Sequence, residues 1–287
     1  MKKIRIAFLG TENSHVYCFC RIMCGNPAYD DIEIVGAYGP DEEANKQLLD
    51  AGYISYFAKT PDEFLGKVDA VVVTARHGDL HYDYAMPYLK EGVHAFIDKP
   101  FTVDLAKAEE MFRVAEKTGA KLCGGSSVRF LEEFRSLKRF VEKNKVVCGH
   151  VAAPVDMVNE YGGFYFYSQH LAEAVLTVFG TEVRSVLARA AAPEENRVST
   201  IFSYDGFDVM GSYTSSYTYA ARVMGEKECL DVHTVGSISY IFKYEVDELV
   251  TMLRTGVQPT DKETMLRPVR LIHAIEESFR TGKEVKL

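Results

Sequence analysis

The rhythm of hydrophobic and polar positions along this chain changes once, near residue 125. Before that point, short apolar runs alternate with longer amphipathic stretches. Residues 4–9 (IRIAFL), 32–37, 68–74 (VDAVVVT), 93–97 and 121–124 are compact runs rich in branched side chains, the pattern of strands covered on both faces. A further short strand is expected at 55–57. Residues 14–24, 41–50, 80–91 and 103–118 carry helical periodicity, clearest in the stripe Leu105, Ala108, Phe112 and Ala115. Thr60-Pro61 predicts one more helix, because a capping threonine is followed by proline at the first helical position. Six strands alternating with helices predict a doubly wound parallel sheet of the Rossmann type.

After Gly124-Gly125 the alternation stops. A helix over 131–143, a strand over 146–158 and a helix over 168–179 are followed by strand upon strand from 182 to 240. Turn signals such as Asp205-Gly206 separate these strands, so a mostly antiparallel open sheet is expected. Two helices, 245–255 and 262–280, close the chain. The reading is an α/β protein: a Rossmann domain over 1–125 and an α+β domain over 126–287 for substrate binding and oligomerisation. Alternating Val, Ile, Tyr and Phe between 197 and 217 predicts an apolar outer face on the second sheet, and through it a homo-oligomer, a dimer or tetramer.

Composition narrows the function classes. A chain of 287 residues with a net charge of −8 does not suit a nucleic-acid or anionic membrane surface. No apolar run approaches the roughly 20 residues a membrane span needs. MKKIRIAFLG is interrupted by Arg5 and followed by polar TENSH, so it reads as a first strand rather than a signal peptide. The six cysteines show no paired spacing, which predicts reduced thiols and a cytoplasmic location. Cys18 and Cys20 fall on opposite sides of a helix, so no metal site is expected there.

Candidate chemistry gathers at the carboxyl ends of the first domain's strands, where open parallel sheets bind ligands. The first strand ends in Gly10-Thr11-Glu12-Asn13-Ser14-His15, where amides at a helix N-terminus could hold a pyrophosphate. Of the G-x-G-x-x-G fingerprint only Gly10 is present, with Glu12 and His15 at the other two glycine places. Tyr38-Gly39-Pro40 stands where a ribose-binding carboxylate is usual, and no cation nearby suits a 2′-phosphate. NAD is therefore expected over NADP. Thr74, Arg76, His77 and His81 follow the fourth predicted strand; Arg76 could face a phosphate or carboxylate, and the two histidines are four apart. Asp98 and Lys99 end the strand VHAFIDKP, and Pro100 fixes the backbone behind them. In the second domain, His170 lies off the apolar stripe Leu171, Val175 and Val178, and can exchange protons near neutral pH.

Several segments together resemble the Gfo/Idh/MocA oxidoreductase family. GVHAFIDKPFTVDLAKAEEMFRVAEKTG is similar to the family's G-x-x-V-x-x-E-K-P segment and the helix after it. VDAVVVTARHGDLHYDYA, SVRF, HLAEAVLTVFG and AIEESFRTGKEV resemble further family segments, so the likeness covers nearly the whole chain. It implies a dehydrogenase in which Lys99 bonds the substrate hydroxyl and His170 is the acid/base. Gly10, Thr11, Glu12, Asn13, Ser14, Tyr38, Thr74, Arg76, His77, His81, Asp98 and Lys99 would hold the dinucleotide. Lys99, Arg129, Tyr167, His170 and Glu173 would hold a sugar- or polyol-like substrate. The family's aspartate four residues before the histidine is replaced here by Phe166, and Glu173 is the acidic group left to orient His170. Two other readings compete: a redox-inactive relative that binds a metabolite or nucleotide, and a metal-dependent lyase or hydrolase around His77, His81 and His170.

Overall fold

The computed structural model describes residues 3–287. The chain begins β1 (Ile4–Leu9), α1 (Ser14–Met23), β2 (Ile32–Tyr38), α2 (Glu42–Asp50), β3 (Ala70–Val73), α3 (Asp79–Lys90), β4 (His94–Asp98), α4 (Leu105–Thr118) and β5 (Leu122–Gly125). These strands form one sheet in the order β2-β1-β3-β4-β5, parallel throughout. β3 and β5 are buried at every position, as the unbroken apolar runs require.

The expected strand at 55–57 is a single parallel bridge, Ala37 to Phe57, so this sheet has five strands rather than six. The helix expected after Thr60-Pro61 is also missing. Residues 61–67 make successive turns instead, with i→i+3 bonds such as Leu65 N–H to Asp62 O.

The second sheet is built from β6 (Val146–Pro154), β7 (Ser185–Ala190), β8 (Val198–Ser203), β9 (Asp208–Thr214), β10 (Ala220–Gly225), β11 (Cys229–His233) and the short β12 (Val285–Lys286). Its order is β11-β10-β6-β9-β8-β7-β12, antiparallel except where β6 lies parallel to β9. The helices α5 (Glu132–Val141) and α6 (Tyr165–Phe179) pack on it, with α8 (Lys262–Thr281). α6 begins at Tyr165, before the expected 168, and is buried on almost every face rather than along one stripe. Sheet residues Val151, Phe202 and Tyr213 share its core cluster with Phe134 of α5 and Leu271 of α8.

Of the large apolar side chains between 197 and 217, Val198, Phe202, Val209 and Tyr213 point inward and are buried in that core. The outer face is mixed, with exposed Ile201, Met210 and Met224 set among Ser199, Arg222 and Asp231. The period-2 pattern was legible, but not which phase faced the core.

The helix α7 (Phe242–Thr255) carries the largest departure from the linear reading. The chain divides into one unit of residues 1–125 with 242–265 and another of 126–241 with 266–287. A single second domain over 126–287 is thus interrupted: Val246, Leu249, Val250 and Met252 of α7 join the core of Phe8, Val16, Phe19 and Phe96.

Candidate active site

In the first unit, the turn after β1 is fixed by contact. Gly10 has φ of +102°, and a Cβ there would lie 2.2 Å from Ala75 N. Only glycine tolerates both conditions. Gly39 is held in the same way: a Cβ would come within 1.8 Å of Thr11 Oγ1. Thr11 Oγ1 donates to Asn45 Oδ1 at 2.5 Å, and Asn45 Nδ2 donates to Gly39 O, tying the turns after β1 and β2 together. Asn13 caps α1, its Oδ1 accepting from His15 N–H.

Glu12 occupies the place of the middle glycine and turns toward the loop after β3. Its Oε1 accepts from Arg76 N–H at 3.1 Å, and its buried Oε2 has no hydrogen-bond partner. A pocket of about 210 Å³ opens here, lined by Thr11, Glu12, Ser14, Asp41, Glu43 and Arg76. Asp41 and Glu43 escaped sequence reasoning, which looked for a carboxylate directly at the end of β2 and stopped at Pro40. Asp41 also caps α2, accepting from Glu43 and Ala44 N–H. Tyr38 stacks edge-on against Tyr84 and is outside the pocket lining.

Three of the expected cofactor residues make hydrogen bonds to backbone. Thr74 is buried and donates from Oγ1 to Gly10 O at 2.9 Å. His81 is fully buried with Nε2 at 2.7 Å from Ala75 O, and burial depresses its pKa, so it is a neutral brace for the turn 75–81. His77 accepts from Asp79 N–H through Nδ1 at 3.3 Å. Nε2 of His81 is taken up by the Ala75 carbonyl, and no group of three His, Cys, Asp or Glu suited to a metal occurs among the described residues.

Asp98 and Lys99 end β4 and are both buried. Asp98 Oδ2 lies 2.7 Å from His15 Nδ1 and accepts from Asn13 Nδ2 at 3.0 Å. Burial opposes the charge of Asp98, but His15, with Lys99 beside it, outweighs that and holds the carboxyl below the usual carboxylate range. Burial pushes the Lys99 ammonium below the ordinary lysine pKa; Asp98 resists the shift, Arg76 adds to it, and Glu245 of α7 resists it. His15, Phe242 and Glu245 were not assigned to this neighbourhood from sequence, the last two because α7 lies far along the chain.

In the second unit, His170 is almost completely buried although it lies off the helix's apolar stripe. Its Nδ1 lies 2.6 Å from Ser126 Oγ. Glu173, expected to orient His170 directly, accepts through Oε1 from Ser126 N–H at 3.4 Å and from Gln169 Nε2 at 3.1 Å. It therefore secures the residue that holds the histidine.

Around His170 stands an aromatic wall: Tyr167 and Tyr219 have ring centroids 5.5 and 5.7 Å away, and Tyr217 hydrogen-bonds the Tyr167 hydroxyl. Phe166 packs at 5.0 Å on Tyr161 and 4.6 Å on Tyr167. Arg129 lies over the Phe130 ring, 4.7 Å from its centroid.

Comparison with known proteins bears on this architecture. Residues 4–126 match the family described as "Oxidoreductase family, NAD-binding Rossmann fold". The uncharacterized oxidoreductase YhhX of Escherichia coli (strain K12) is 27% identical over 71% of this chain, and the match spans 61% of its own length. The scyllo-inositol 2-dehydrogenase (NADP(+)) IolU of Bacillus subtilis (strain 168) is 22% identical, over 73% of this chain and 76% of that protein. The crystal structure of scyllo-inositol dehydrogenase from Lactobacillus casei with bound NAD(H) and scyllo-inositol superposes with a TM-score of 0.83, covering 99% of both chains at 15% identity. Residues 4–126 are thus similar to the NAD-binding Rossmann part of the Gfo/Idh/MocA oxidoreductases.

Proposed function

We propose that this protein is an NAD-dependent oxidoreductase that moves a hydride between nicotinamide and a CH–OH carbon of a sugar, polyol or related compound. The observation that carries the reading is a buried lysine at the carboxyl end of a Rossmann strand, in a chain that also holds a buried histidine against a serine hydroxyl. In this reading Lys99 bonds the substrate hydroxyl and His170 takes its proton, as loss of hydride requires.

The residues present fit a dinucleotide. The turn at Gly10 leads into the N-terminus of α1, and the adjoining pocket suits an adenosine ribose. When bound, NAD supplies the hydride acceptor. Asp41 and Glu43 favour a ribose with a free 2′-hydroxyl over a 2′-phosphate, even though IolU is named for NADP(+). The aromatic wall of Tyr167, Tyr217 and Tyr219 suits the apolar C–H faces of a ring polyol, with Arg129 and Glu173 as polar neighbours. We place the protein in the cytoplasm and assign it no nucleic-acid partner; no described helix is long and apolar enough to cross a membrane. A homo-oligomer would use the outer face carrying Ile201, Met210 and Met224.

Titration with NADH and NADPH, followed by nicotinamide fluorescence, tests the reading, together with an NAD-linked assay on scyllo- and myo-inositol. NADH binding at least tenfold tighter than NADPH, with turnover of a cyclic polyol, is expected. Binding of neither dinucleotide would overturn the reading.

A further inference from the structure

The carboxylate preceding Lys99 is gripped from a place that the dinucleotide fingerprint reserves for glycine. Position 15 holds a histidine whose Nδ1 is 2.7 Å from Asp98 Oδ2, and Asn13, at the same loop, donates to that oxygen at 3.0 Å. Asp98 is 0% exposed and the His15 side chain 12%. The imidazole cannot swing freely, since Phe242 packs on it with centroids 4.6 Å apart and Phe19 stacks at 6.4 Å. A buried carboxylate needs charged or hydrogen-bonding partners to stay ionised.

We propose that Asn13 and His15 are positioning residues for Lys99: they hold Asp98 as the charged partner that aims the lysine ammonium, making the dinucleotide loop and the catalytic lysine one unit. The proposal rests on the reading of Lys99 given above. The fingerprint's lost glycine is thereby replaced by a side chain with a task, and the close approach that glycine allows is exchanged for a contact to β4.

The charges around this group come from three further elements. Asp98 itself faces His15 from β4, while Phe19 on α1 and Phe242 on α7 are uncharged. Lys99 feels Asp98, Arg76 from the loop after β3 and Glu245 from α7, and the buried His81 of α3 feels Asp98. The loop-side histidine beside Asp98 is His15, which holds the carboxyl down, and removing the imidazole must make Asp98 protonate at higher pH.

Isotope-edited NMR of the Asp98 carboxyl carbon in the full chain, without substrate, tests this. His15→Phe keeps an aromatic ring between Phe19 and Phe242 but removes the imidazole nitrogen that meets Asp98; His15→Gln keeps a polar group and serves if the first variant does not fold. Both are expected to move the Asp98 titration to higher pH, and to move the acid limb of kcat/KM for NAD-linked polyol oxidation the same way, while Kd for NADH changes less than threefold. An Asp98 titration equal to the wild type in a folded variant would overturn the proposal. Because the NMR readout needs no turnover, an inactive wild type would count against the oxidoreductase reading alone.

Discussion

The neighbourhoods of Lys99 and His170 use opposite means to place a proton-handling group. Lys99 sits in a knot of charges: Asp98, Arg76 and Glu245 all bear on it, and Asp98 in turn meets His15, at almost no exposure to water. His170 is equally buried, but it meets a neutral hydroxyl and the rings of Tyr167 and Tyr219. The first setting tunes charge through desolvation balanced against Coulomb attraction; the second fixes direction through one hydrogen bond and aromatic packing. The lysine is expected to respond to charge-changing substitutions nearby, and the histidine to geometric ones.

The comparison breaks most visibly if either group proves dispensable. Lys99→Ala and His170→Ala should each lower kcat by about a thousandfold, within the range of a lost acid/base or hydroxyl-binding group, with NADH affinity nearly unchanged. Steady-state rates beside fluorescence titrations measure this; near-wild-type kcat in either variant contradicts it. A smaller effect is expected at Ser126, which holds His170 but does not act on substrate. Ser126→Ala should lower kcat by about tenfold and leave the NADH titration unaltered. If it costs as much as His170→Ala, Ser126 is more than a holder.

Much of this was legible in the sequence, and the misses have identifiable causes. The strand ends at Gly10 and Asp98 followed from apolar runs halted by glycine and by a charge–proline pair. His81 and Thr74 stand at the sheet's carboxyl edge, where ligands are expected, yet His81 Nε2 and Thr74 Oγ1 meet the carbonyls of Ala75 and Gly10. A sequence does not show which backbone group a side chain will meet. Helix α7 could not be placed by periodicity either: its apolar face fits any core, and only the fold brings Phe242 to His15. The distance from Ser126 to His170, 44 residues along the chain, hid the true partner of the histidine and made Glu173 look like the nearer candidate.

Two milder predictions sharpen the contrast. Lys99 has a folded-state pKa below that of an exposed lysine, so between the two values the unfolded chain binds more protons and stability rises with pH. Urea unfolding of the wild type should therefore show stability increasing as pH climbs toward the ordinary lysine pKa. Lys99→Met should lack that increase and be more stable by ~1 kcal/mol at neutral pH, the usual scale of relief at a functional site. An unchanged pH slope in the variant would contradict the desolvation account. Glu12→Gln keeps an acceptor for Arg76 N–H while removing a negative charge beside the N-terminus of α1. NADH should bind about fivefold more tightly, close to 1 kcal/mol, the scale of a charge at a helix terminus. Weaker binding would mean that the carboxylate itself contacts the cofactor.

The central claim is that the protein transfers a hydride from a polyol carbon to NAD, and following the hydride itself tests it most directly. Scyllo- or myo-inositol deuterated at carbon, incubated with NAD and the enzyme, should yield reduced nicotinamide carrying one deuterium by mass spectrometry, and the label should be lost in Lys99→Ala and His170→Ala. NADH that binds well while no label reaches the nicotinamide from any cyclic polyol would contradict the account and leave a dinucleotide-binding protein without redox turnover.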